Sequence, residues 1–150
     1  MNRKIFPLSM VASLTCVLAS GATWAAGEQH IRSHEGHCQV TVPADWKQDA
    51  MLKSSASAPG NAASVVITST EGFATLADAK PIIQSSLIPV KTLEDSAHRL
   101  WYQYQGTGHG TGWYVGVPGK GVICGAQIGF QNAAQAELAR KIALSVGPVP

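Results

Sequence analysis

Between Leu100 and Phe130 the chain reads LWYQYQGTGHGTGWYVGVPGKGVICGAQIGF, and this stretch decides the architecture. In its first segment Leu100, Tyr102 and Tyr104 alternate with Trp101 and Gln103, the period of a β-strand with one aromatic side turned inward. GWYVGV (112–117) and GVICGAQIGF (121–130) read as two further strands, joined through the tight-turn sequence PGKG. Parallel strands would need a crossover of roughly a dozen residues or more, so short connections make these neighbours antiparallel.

The first connection carries glycine at 106, 108, 110 and 112, around His109. A dinucleotide loop needs G-x-G-x-x-G between a strand and a helix, but both flanks here are strands. A P-loop fails as well, because Gly121 follows Lys120 where Ser or Thr would bind magnesium. The stretch Gly106 to Gly112 is therefore expected to be a flexible hairpin connection with His109 at its apex. Binding hot spots favour Trp, Tyr and Arg. The candidate contact residues are accordingly Gly108, His109, Gly110, Trp113 and Tyr114, with Tyr102 as a further anchor.

Working outward, HCQVTVPADW holds a strand from Cys38 to Val42 that Pro43 ends. MLKSSASAPGNAAS (51–64) is rich in Ser, Ala, Gly and Pro and reads as an exposed loop. The β-branched run ASVVITST (63–70) is a strand. Thr75 and Asp78 form a capping pair for a helix whose inner face is Leu76, Ala79, Ile83 and Leu87, with Pro81 marking either a kink or the true first turn. PVKTLED (89–95) is a short strand. At the far end Asn132 and Gln135 match a capping box, Leu138, Ile142 and Val146 form an apolar stripe, and Gly147-Pro148 stops the helix. The order β-β-α-β-β-β-β-α predicts an α+β fold, an antiparallel meander with two helices packed on it.

Arg3 and Lys4, the apolar run IFPLSMVASLTCVLA and the small residues near Ala25 and Ala26 match a secretory signal peptide, expected to occupy 1–26. The run is shorter than the roughly 20 residues of a spanning helix. Cys16 lacks the small residue that a lipid anchor wants just before it. Residues 27–150 are expected to form one domain of about 124 residues. Losing Arg3 and Lys4 from eleven basic residues leaves nine against nine acidic ones. That balance, with no Lys/Arg run, disfavours nucleic acid and anionic membrane as partners.

The cysteines left are Cys38 and Cys124, and in an oxidising periplasm an even pair is expected to form one disulfide. Closing a loop of about 87 residues would stabilise the fold by roughly 4 kcal/mol. His30, His34 and His37 beside Cys38 could share a helical face suited to zinc or copper. The segment directly follows the cleavage site, though, and Cys38 is committed to the disulfide, so no metal or other cofactor is expected. There is no G-x-S-x-G, S-x-x-K or H-E-x-x-H, and no pairing stands out among Asp45, Asp49, Glu71 and Asp78. An enzyme would have to rest on His98 or His109 near a carboxylate or serine, and a non-enzymatic role is expected.

The pattern Cys-x-Val-x-Val-Pro-x-x-Trp from Cys38 to Trp46, followed by the meander and a last amphipathic helix, resembles the PsbP-like α/β/α sandwich proteins over about residues 38–146. That resemblance implies an exported binding or accessory protein. In size and export the chain is also similar to immunity proteins that protect a bacterium from toxins delivered by type VI secretion. A protein-binding module, with a secreted effector toxin as partner, is the expectation. The alternative is a small-ligand carrier, in which Trp101, Trp113 and Tyr114 would line a closed cavity.

Overall fold

The computed structural model describes residues 27–104 and 110–150; the expected signal peptide lies outside them. The fold is α+β, as the sequence predicts. Strands β1 (Glu28–Arg32) and β2 (Cys38–Pro43) open the chain, followed by β3 (Lys47–Gln48), β4 (Ser55–Ser57) and β5 (Ala63–Glu71). Then come helix α1 (Leu76–Ser86), strands β6 (Pro89–Asp95), β7 (Leu100–Tyr104), β8 (Thr111–Pro118) and β9 (Val122–Phe130), helix α2 (Ala136–Leu144) and the short β10 (Gly147–Pro148). A seven-stranded antiparallel sheet has the order β3-β4-β5-β9-β8-β7-β6, and a small sheet has the order β1-β2-β10.

Alternation along the central strands sends side chains to two cores, one on each face of the large sheet. Val65 and Ile67 of β5, Trp101 of β7, Val115 of β8 and Cys124, Ala126 and Ile128 of β9 meet the small sheet and α2. On the opposite face Leu100, Tyr102, Tyr114 and Ile123 meet Leu76, Ala79 and Ile83 of α1. Leu100, Trp101 and Tyr102 are consecutive and all buried, so β7 is covered on both sides rather than on one. Cys38 and Cys124 are fully buried and joined, Cα to Cα 5.3 Å, which ties the small sheet to the large one through β2 and β9.

Several local expectations hold in altered form. Thr75 caps α1 by accepting from the Asp78 amide, while Pro81 lies within the helix on its exposed side. Asn132 makes no side-chain cap bond; a 3₁₀ turn at Ala133–Gln135 precedes α2, and Gln135 Oε1 accepts from the Gln131 amide at 3.1 Å. Gly147-Pro148 does more than stop a helix, since it pairs with Gln39 and Cys38 of β2. The 51–64 segment is not wholly loop, because β4 adds to the edge of β5.

The histidine segment corrects the sequence reading most. His30 lies in β1, and His34 and His37 lie beyond it in the connection to β2, so the three imidazoles share no helical face. His30 Nδ1 is 3.1 Å from Thr41 Oγ1, and His37 Nε2 is 3.3 Å from Glu71. Among the described residues no three of His, Cys, Asp and Glu converge to hold a metal ion.

Candidate functional site

The register places Tyr104 and Gly110, the described residues on either side of the glycine-rich stretch, at one end of the large sheet. Pro89, Tyr104, Gly112, Gly129 and Ser64 form a row across β6, β7, β8, β9 and β5. Gly108 and His109, two of the predicted contact residues, lie outside the described residues. Gly110 is exposed where β8 begins, with φ +134°. A Cβ there would lie 2.8 Å from the Phe130 carbonyl oxygen, so only glycine fits that approach.

Gly112 is not part of a loop. It is buried in β8, and a Cβ on it would meet Tyr104 Cζ at 2.7 Å. Here glycine makes room for a cross-strand aromatic ring. Gly125 of β9 likewise makes room for the cross-strand ring of Tyr114, and Gly116, two residues along β8 from Tyr114, leaves space for the same ring.

Trp113 and Tyr114 are adjacent in a strand and therefore face opposite cores. Trp113 is half-buried, edge-on to Trp101 at 5.3 Å and to Phe130 at 4.7 Å. The Arg140 guanidinium sits 5.5 Å from the Trp101 ring centre. Tyr114 is only 4 % exposed, packed 5.4 Å from Tyr102 under α1, and so offers a partner almost no area. Tyr102, the further anchor considered, is wholly buried. Among the described residues these aromatics pack against one another, and Trp101 and Trp113 lie on the face of the sheet opposite Tyr114. Of the predicted set, Gly110 and Trp113 are the described residues that solvent reaches.

Sequence reasoning missed the apolar surface beside this end. Ile82 of α1, Ile88 in the α1–β6 connection, and Val90 and Leu93 of β6 are exposed, Ile88 and Val90 by about 60 % each. Ile88 precedes Pro89, whose strand partner Tyr104 is the last described residue before the glycine connection. The signal was present in PIIQSSLIPVKTLE (81–94), whose aliphatic residues outnumber the positions one face of a helix and one face of a strand can bury. β6 is an edge strand with two register shifts, an exposed Lys91 and a leading proline, features that hinder strand addition. A partner here would meet side chains rather than the backbone ladder. Charges on α1, β6 and the β6–β7 connection are paired within the fold, Lys80 with Asp95 and Arg99 with Glu94 at 3.5 Å. His98 is exposed, and its imidazole bonds to none of the described residues.

Burial drives the phenols of the central sheet upward. Tyr102 is pushed to about 12, by burial first and then by Tyr104, and Tyr104 and Tyr114 are also raised by burial. An unfolded phenol ionises near 10. The unfolded chain therefore releases protons that the folded chain still holds, and this contribution to stability is complete below about pH 10 and lost as pH rises from there toward 12. Between neutral pH and about pH 9 the phenols should leave stability unchanged in urea unfolding, and above that it should fall by up to about 1.4 kcal/mol per pH unit for each buried phenol. Ultraviolet titration of the folded protein at about pH 10 should show clearly less tyrosinate than the half-ionised free phenol; half-ionised tyrosines at that pH would contradict the burial described.

No protein-family model matches the chain, and no curated protein matches it in sequence. In fold it is similar to the solution structure of cyanobacterial PsbP (CyanoP) from Synechocystis sp. PCC 6803, with TM-score 0.53 and 11% identity, covering 86% of this chain and 96% of that one. It also matches the Ran-binding protein Mog1p of Saccharomyces cerevisiae at TM-score 0.48 and 10% identity, covering 81% and 90% of the two chains. The first likeness shows a PsbP-like fold.

Proposed function

We propose that this chain is a periplasmic protein-binding module, exported by its leader, that binds and neutralises a secreted effector toxin as a type VI immunity protein does. The observation that carries the binding role is the exposure of the aliphatic residues Ile82, Ile88, Val90 and Leu93, of which Ile88 and Val90 flank Pro89, the strand partner of Tyr104 at the end of the sheet. Covering the roughly 60% of Ile88 and Val90 that is still exposed would contribute about 1–2 kcal/mol each. Half-buried Trp113, braced by Trp101 and Phe130 on the opposite face of the sheet from α1, is a separate rigid aromatic of the kind binding hot spots use. A buried disulfide between the sheets suits a scaffold that must hold this surface in an oxidising space. The immunity role is further supported by size and by the export signal in the sequence.

The test is paired. Ile88→Asp combined with Val90→Asp should leave the unfolding temperature unchanged and weaken capture of the toxin encoded beside the gene by about 100-fold, the equivalent of roughly 3 kcal/mol. A strain carrying that variant should become sensitive to toxin-delivering siblings. Undiminished survival of a complete deletion strain against those siblings would overturn the immunity role. Unchanged affinity of the double variant would overturn the proposed surface.

A further inference from the structure

A second feature lies away from that surface. The β1–β2 hairpin and the turn at 48–54 enclose a groove of about 690 Å³, within the roughly 300–1,000 Å³ of ligand clefts. His30 and Arg32 of β1 line one wall, and Gln48 of β3 lines the other. β1 is the outer strand of the small sheet and β3 the outer strand of the large one. Two strand edges without a partner strand among the described residues therefore border one groove.

Its chemistry is one-sided. Arg32 and Lys53 line the groove, and neither has an ion pair among the described residues. No carboxylate lines it. Two nearby acids are turned to the fold instead, Asp49 accepting from the Met51 and Leu52 amides at 2.8 and 2.7 Å and Glu35 accepting from Ser69 Oγ, while exposed Glu28 stands at the start of β1, outside the groove lining. The Asp49 turn in turn holds Met51 and Leu52 outward, 96% and 50% exposed, at the same groove. Free cations, unpaired strand edges and presented apolar side chains in one place define the complementary ligand.

We propose that this groove takes an extended, acidic chain segment of the protein partner. The segment would lie along the free strand edges, with carboxylates on Arg32 and Lys53 and an apolar side chain against Met51 and Leu52. In strand addition main-chain bonds supply affinity and alternate side chains supply selectivity. The proposal rests on the partner-binding reading and adds a second, charge-selective contact to it.

The probe is a short fluorescein-labelled peptide of alternating glutamate and valine, followed by fluorescence anisotropy with the disulfide-intact protein. Saturable binding at low salt should weaken as salt is raised. The double variant Arg32→Glu, Lys53→Glu should bind about tenfold or more weakly while unfolding at the wild-type temperature. Amide shifts on the wild-type protein should map to 28–33 and 47–54. A lysine–valine peptide should not bind. Absence of saturable binding, wild-type affinity in the double variant, shifts elsewhere, or equal affinity for free glutamate would each overturn the proposal. The two readings fail separately, because the Ile88→Asp, Val90→Asp protein should still bind this peptide with full affinity.

Discussion

Replacing Cys38 and Cys124 together by alanine is expected to lower the unfolding free energy by about 4 kcal/mol. The two residues are 86 apart in sequence, so the disulfide removes much of the freedom of the unfolded chain. Both side chains are fully buried in the core between the sheets, and truncating them leaves a small void as well. Set against a usual total of 5–15 kcal/mol, the loss is a large share of stability. It should appear as a fall of roughly 2 M in the urea midpoint. Because the bond joins β2 to β9, the variant should also expose the amides of β1, β2 and β10 to hydrogen exchange more than those of β7–β9. In the intact protein neither sulfur should react with thiol reagents before unfolding. A cost below about 1 kcal/mol would mean that packing of Ile31, Val40 and Val42 against the large sheet holds the layers together without the bond.

How far such features can be read from sequence depends on how many independent cues each segment carries. β5 has a β-branched run with alternating burial of Ala63, Val65 and Ile67, and α1 has both a capping pair and an apolar face; all were legible. β1 was not, because Ile31 is the one side chain it buries, and a single apolar residue has no period. What makes Glu28–Arg32 a strand is its ladder to β2, a non-local fact. The same holds for Ser55–Ser57, which pairs with β5 in spite of its loop-like composition. The candidate site divides along the same line. The glycine connection stood out by composition, yet the Ile88 and Val90 surface depends on α1 and β6 leaving those residues uncovered, and that is set by tertiary packing. Gly112, Gly116 and Gly125 look like flexibility in a sequence, whereas register turns them into space for tyrosine rings.

That last distinction gives the second large effect, in which propensity and packing predict opposite signs. In a strand interior, replacing glycine by alanine should by propensity alone stabilise by roughly 0.5–1 kcal/mol. Gly125→Ala is instead expected to destabilise by about 2–3 kcal/mol, the scale of overpacking a filled core. A Cβ at Gly125 would lie 2.6 Å from Tyr114 Oη, 3.0 Å from Thr68 Oγ1 and 3.2 Å from Tyr114 Cε2. The ring has nowhere to withdraw: Gly116 lies against its other edge, and Tyr102 packs 5.4 Å away. Tyr114→Phe removes the atom in closest conflict while keeping the ring. Combined with Gly125→Ala it should recover at least about 1 kcal/mol relative to the sum of the single changes, the mark of direct contact in a double-mutant cycle. Urea unfolding of the four proteins measures this directly. A neutral or stabilising Gly125→Ala would show that the β8–β9 ladder can shift to admit a methyl group. Additive costs would show that the strain is taken up by Thr68, the other oxygen at that position, rather than by the tyrosine.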